Sequence, residues 1–291
     1  MIVLDRNRAG GPRHWTRSGA MAAIISMSLA IPLTCCTLAM AAAATELYRA
    51  QTTVTGQGEP NRSIGFGACL EDVLIKVSGA LKLADDRRLA AYKSHAGDYV
   101  SAFHYHDQMS GTPIRDEQGT RDRPYDLIVD FDDDRIDDLL KALGLKPWPS
   151  QRPVLAVFVE MEQGARKYVV TSDAKQSDLQ RDALLAAAAR QGMTIALPDA
   201  AALAEAHLDD AALATMPPAT LASRVAVPGA DAVLVGRLVW NDSELGWTTE
   251  WRIDWRSRPH RWQARGIKFD DAFRRGVGGA AQILSDNGDP G

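Results

Sequence analysis

Cysteine is scarce in this chain. There are three in 291 residues, Cys35, Cys36 and Cys69, and the first two are adjacent. No CxxC pair, HExxH helix, calcium-binding loop or G-x-S-x-G turn occurs. The signatures of zinc knuckles, zincin proteases and serine hydrolases are therefore missing. Glycine clusters such as GFGA (65–68) and GVGG (276–279) lack the lysine and spacing of a phosphate loop. No segment repeats with a period of about 20–50 residues, which excludes solenoids and propellers. There is also no cationic excess. The net charge is −4, so nucleic acid is not an expected partner.

Charge is distributed unevenly at the start of the chain. Arg6, Arg8, Arg13 and Arg17 face a single acid, Asp5, and then no charge occurs from Ser18 to Thr45. Within that run MAAIISMSLAIPL (21–33) is apolar, and AMAAAAT (39–45) offers small residues for processing. A basic region, a short apolar block and an A-x-A site make a secretory signal peptide over 1–44, cut after Ala44. The alternatives are an uncleaved N-terminal membrane helix and a lipid anchor on Cys36; membrane contact is expected only through these segments. Loss of residues 1–44 removes four arginines and one aspartate and moves the net charge to −7. It also leaves Cys69 as the lone cysteine, in an apolar helical stretch where a core role is expected.

The remaining sequence reads as two small modules of mixed α/β or α+β type, each a mixed or antiparallel sheet packed by helices. The first, 45–147, has a strand at TELYRAQTTV and a helix through ACLEDVLIKV that stops at SGA (78–80). A second helix is expected from Asp85 through DDRRLAAYKSHAGDYVSAF. Strands at FHYHDQMSG and RPYDLIVDF follow, then a helix at DDDRIDDLLKALGL whose acids meet the N-terminal dipole. Three prolines in KPWPSQRP mark a boundary, with 148–153 as linker. The second module, 154–286, opens with the nearly unbroken apolar run PVLAVFVEM, expected of a strand covered on both faces. It ends in a tryptophan-rich β-meander and a C-terminal helix, with 287–291 as a disordered tail.

Four of the seven tryptophans lie in WTTEWRIDWRSRPHRW (247–262). On a strand, Trp247, Thr249, Trp251, Ile253 and Trp255 share one face, while Thr248, Glu250, Arg252, Asp254 and Arg256 share the other. The first face is expected to be dry and the second wet, so that Arg252→Ala would cost under about 0.5 kcal/mol. The competing reading makes Trp247, Trp251, Trp255 and Trp262 a stacking platform for sugars. His104 and His106 would share a strand face, a spacing that metals use, and so form the candidate metal pair of a metal-dependent hydrolase; a polar surface strand is the plainer reading. No catalytic residue and no cofactor are assigned. The expected function is that of an exported, periplasmic, non-enzymatic protein of a Gram-negative bacterium, acting through contacts with an envelope protein.

LYRAQTTVTGQ followed by ACLEDVLIKVSG resembles the DUF2066 family of exported bacterial proteins, with Val73–Gly79 standing at its helix-ending signature. The later RPVLAVFVEM, ADAVLVGRL and tryptophan meander extend the resemblance to about residues 47–284. It implies an exported α/β protein and brings no catalytic residues with it.

Overall fold

The computed structural model describes residues 46–111, 115–116, 119–120, 122–148 and 151–290. The fold is mixed α+β. Three strands, β1 (Arg49–Thr55), β2 (Val100–Asp107) and β3 (Pro124–Phe131), form an antiparallel sheet in the order β1-β3-β2. Helix α1 (Glu59–Ser78) lies across one face and buries Cys69, Leu70, Val73, Leu74 and Val77. It approaches closely at Gly65, where a β-carbon would run into Leu127 and Val54. Between α1 and β2 the chain is broken into 3-10 turns and a short helix, α2 (Leu89–Lys93), rather than the one long helix expected. The side chains that reach the core here are Leu83, Leu89 and Ala96, and the six-residue step from Leu83 to Leu89 puts those two on different faces of a continuous helix. After β3, helix α3 (Asp133–Ala142) is capped by Asp132, whose carboxylate accepts from Arg135 N at 3.1 Å.

The second sheet is larger. Strands β4 (Leu155–Gln163), β5 (Arg166–Val169), β6 (Ala232–Asn241), β7 (Gly246–Trp255) and β8 (Arg258–Ile267) run in the order β8-β7-β6-β4-β5, and the two residues Ile195–Ala196 pair with β4. β6 runs parallel to β4 and the other long pairs are antiparallel. One face packs on helices α4 (Asp178–Arg190) and α8 (Phe269–Leu284). The opposite face carries Ala156, Phe158, Val233 and Val235 beneath Leu203, Leu213 and Leu221. Those leucines come from three short helices, α5 (Ala200–Glu205), α6 (Asp210–Thr215) and α7 (Pro218–Arg224). Burial on both faces is why β4 and β6 are apolar at successive positions.

The two sheets belong to one compact unit, residues 41–291, and the proline-rich segment expected as a linker carries a main tie between them. Arg152 is half-buried, stacks on Trp148 at 4.4 Å, and donates to Lys76 O at 2.6 Å, Gln191 O at 2.5 Å and Trp148 O at 3.1 Å. The acceptors Lys76 O and Gln191 O lie at the C-terminal ends of α1 and α4, where the helix dipoles favour a cation. Burial lowers the guanidinium pKa to about 10. A second tie involves the segment expected as a disordered tail. Asn287 is buried, and its Nδ2 donates to Ser78 O at 2.7 Å and Lys146 O at 3.1 Å. Its Oδ1 accepts from Lys146 N at 3.0 Å. The tail is ordered through these contacts because the end of α1 needs partners for its last carbonyls.

Candidate functional site

The tryptophan stretch occupies β7 and β8. Trp247, Trp251 and Trp262 are 8%, 0% and 5% exposed, so their rings are enclosed and unavailable for stacking a sugar. Their slots are lined by glycine. A β-carbon at Gly236 of β6 or at Gly276 of α8 would run into the Trp251 ring, and one at Gly279 would meet Trp262. The GVGG sequence is thus a smooth helix surface on which two indoles lie. Trp262 Nε1 donates to Arg275 O at 3.0 Å. Trp255 differs: it is half-buried, lies under Arg256 at 5.9 Å, and lines a cleft of about 400 Å³ with Arg258 and His260. The face expected to be wet is partly covered: Thr248, Glu250 and Asp254 are half-buried and Arg256 is exposed. Arg252 is only 8% exposed and its Nη2 donates to Leu213 O at 2.8 Å, at α6. Burial lowers its pKa. Pattern alone missed this because the covering helices lie some 40 residues upstream, and a long guanidinium reads as solvent-seeking.

The histidines lead to a different surface. His104 and His106 do share a face of β2, and among the described residues no helix lies over that face of the three-stranded sheet. Registry lays the outer residues in three rows: Arg49, Asp130, Ala102; Gln51, Ile128, His104; Thr53, Asp126, His106. Asp126 is the polar centre. It accepts from Gln108 Nε2 at 2.6 Å and Thr53 Oγ1 at 3.4 Å, and His106 Nδ1 lies 3.3 Å from it. These bonds, that of Gln108 first, hold its carboxyl below the ordinary aspartate value. Asp130 takes Arg49 Nε at 2.5 Å. Among the described residues no three histidine, cysteine, aspartate or glutamate side chains are grouped to hold a metal ion. Arg49, Gln51, Thr53, Asp126 and Gln108 were not singled out in the sequence. For the residues of β1 and β3 the signal was alternation, polar at 49, 51 and 53 in RAQTTV and at 126 and 130 around Ile128 in YDLIVDF; Gln108 lies in neither stretch.

Two further sequence candidates have plain outcomes. Cys69 is fully buried, and burial pushes its thiol pKa up to about 12, so it is a packing residue with little thiolate character. The cleavage site at Ala44 and the alternative anchor Cys36 lie outside the described residues. Among the described residues no helix is long and apolar enough to cross a membrane.

The family described as Domain of unknown function (DUF8605) matches residues 41–149. This overturns the expected DUF2066 membership, since the matching family is a different one. The match spans the three-stranded sheet with α1 to α3 and stops short of Arg152 and the tryptophan-bearing sheet. The VSG motif that carried the resemblance is a helix ending: Gly79 stands at φ 73°, its N–H bonds Ile75 O at 2.7 Å, and Ser78 Oγ donates to Leu74 O at 2.6 Å. A motif of that kind serves any helix that must stop against another, and so it points weakly to kinship. Comparison with curated proteins and with solved structures gives no match.

Proposed function

We propose that the chain is exported to the periplasm of a Gram-negative cell and acts there without catalysis, by binding another protein of the envelope. The observation that carries this reading is the open outer face of the three-stranded sheet. An antiparallel sheet with one solvated face is ordinary, but this face has a fixed polar network, centred on Asp126, around a half-buried apolar residue, Ile128. Ordered polar groups around an apolar centre resemble the composition of a non-obligate protein interface. Export rests on the basic, apolar and alanine-rich N-terminal sequence.

A photo-crosslinking residue placed in turn at Gln51 and Ile128 tests the contact in intact cells. Both positions should give the same discrete adduct, and Ser223 on α7 should give none. The same adduct pattern from all three, or none from the open face, would overturn the reading. N-terminal sequencing of the protein from the periplasmic fraction should begin at Thr45; retention of the intact chain in the cytoplasm would refute export.

A further inference from the structure

A sheet edge presents unpaired main-chain groups and is a template for another strand, so exported proteins protect it. Among the described residues the two larger sheets have four outermost strands, and three are protected. β8 carries exposed Arg258, Arg261 and Arg265. β5 is four residues long and begins with exposed Arg166 and Lys167. β1 is capped at both ends, where Lys76 Nζ donates to Arg49 O at 2.6 Å and Asn61 Nδ2 donates to Thr55 O. β2 is the exception. From Val100 to His106 it has no lysine, arginine, acid or proline.

The hydrogen-bond pattern tells which β2 groups are free. Phe131 N donates to Tyr48 O, so the odd-numbered residues of β3 turn toward β1 and the even-numbered ones toward β2. Ala102, His104 and His106 therefore bond inward to β3, and Phe103 and Tyr105 turn their N–H and C=O groups outward. The side chains of these two residues belong to a run of edge-to-face rings: Phe66 to Phe103 at 5.2 Å, Phe103 to Tyr105 at 5.9 Å, Tyr105 to Tyr125 at 6.0 Å. Phe103 and Tyr105 stand in the middle of this run, between Phe66 of α1 and Tyr125 of β3, and Phe103 is 43% exposed.

We infer that β2 pairs with β2 of a second copy of this chain, antiparallel, with the two-fold axis at His104. This register sets Phe103 opposite Tyr105 of the other copy twice, so the outward groups bond mutually and the ring run continues across the axis. It opposes no like charges along the strand. An axis one residue further on would require the carbonyl of Asp107, which already accepts from Ser110 N at 3.2 Å. A second copy fits better than an unrelated strand because the exposed sequence is its own complement: uncharged, aromatic at the two bonding positions, and small at Ser101 and Ala102. The pairing makes one six-stranded sheet and doubles the open polar face. It goes beyond the proposed envelope contact and does not depend on it.

The axis also places the two His104 side chains face to face. Within its own copy, His104 looks at Ile128, with Asp126 and Asp130 diagonal on β3, His106 along its own strand and Gln51 one strand further. Asp126 and Asp130 are already engaged, by Gln108 and His106 and by Arg49.

Sedimentation velocity on the protein expressed from its full reading frame, from about 1 to about 100 µM, tests the pairing. A dimer is expected within this range. Phe103→Lys should weaken it at least about tenfold. The register has its own test. His104 is a non-bonded pair across the axis, with α-carbons about 4.5 Å apart, so His104→Cys should crosslink spontaneously to itself. Ala102→Cys and Thr53→Cys should not. A monomer throughout, a dimer indifferent to Phe103→Lys, or His104→Cys linking no faster than Thr53→Cys would each overturn the inference. Crosslinking of an envelope partner at Gln51 and Ile128 would stand or fall separately.

Discussion

The two sheets solve the same problem with unequal means. The larger one is covered on both faces, by α4 and α8 on the tryptophan side and by α5 to α7 on the other. Among the described residues the smaller one is covered on one face alone, by α1, α3 and the segment between α1 and β2, and its outer face and the β2 edge are left to solvent. A doubly covered sheet takes its stability from enclosed side chains, so any position on its central strands matters. A singly covered sheet has half of its positions free of that duty. In this chain the free half holds the ordered polar network, and the crowded half holds the indoles.

Substitutions can sharpen that contrast, and the largest effect is expected at Trp251. Its ring lies between glycines of β6 and α8, and Trp251→Ala leaves a cavity that neither backbone can fill. The loss should be about 3–5 kcal/mol in urea melts; a loss under about 1 kcal/mol would mean that the ring is not the centre of that core. Next is the tie between the sheets. Arg152→Met keeps the bulk but leaves Lys76 O, Gln191 O and Trp148 O without their donor, at about 2–3 kcal/mol. It should also separate the melting of the two sheets, which tyrosine and tryptophan emission would follow independently. A single shared transition with unchanged midpoint would show that the tie lies elsewhere.

Arg252→Ala probes the second covered face. Removing its bond to Leu213 O should cost about 1–2 kcal/mol, above the roughly 0.5 kcal/mol of an exposed arginine. On the open face, Gln51→Ala should stay within about 0.5 kcal/mol of the parent. If it equals Arg252→Ala, the contrast between covered and open faces is lost.

The smallest effect is one of pH. The folded-state pKa of Asp126 is depressed, chiefly by Gln108 and then by His106, Gln51 and Thr53. Its contribution to stability is therefore complete above the unfolded value of about 3.9 and is lost as pH falls through the lower folded value. Urea midpoints taken from about pH 5 to about pH 2.5 should fall less steeply in Asp126→Asn than in the parent. Superimposable curves would remove Asp126 from the centre of the network.

Much of this fold was legible in the chain. The unbroken apolar run at β4, the capped acids at α3, the glycine stop at Gly79 and the alternation in β7 each follow from a local period or a local steric need. The histidine pair on one face of β2 was legible for the same reason. Family kinship was read wrongly because the motif that suggested it, VSG, records a helix ending and little else. Asp126 was not legible as a centre: it is 20 residues from His106 and 73 from Thr53, and only strand registry brings them together.

By itself, then, the sequence determined the elements, their inward faces and the apolar strands, because side-chain periodicity and backbone sterics act over a few residues. Tertiary structure alone decided that Arg252 is buried, that Asn287 is fastened and that Arg152 joins two helix ends. It also decided that one face and one edge of the smaller sheet stay open. Each of these depends on which distant segment arrives to cover a surface, and coverage is settled by the packing of whole elements, which no local period encodes.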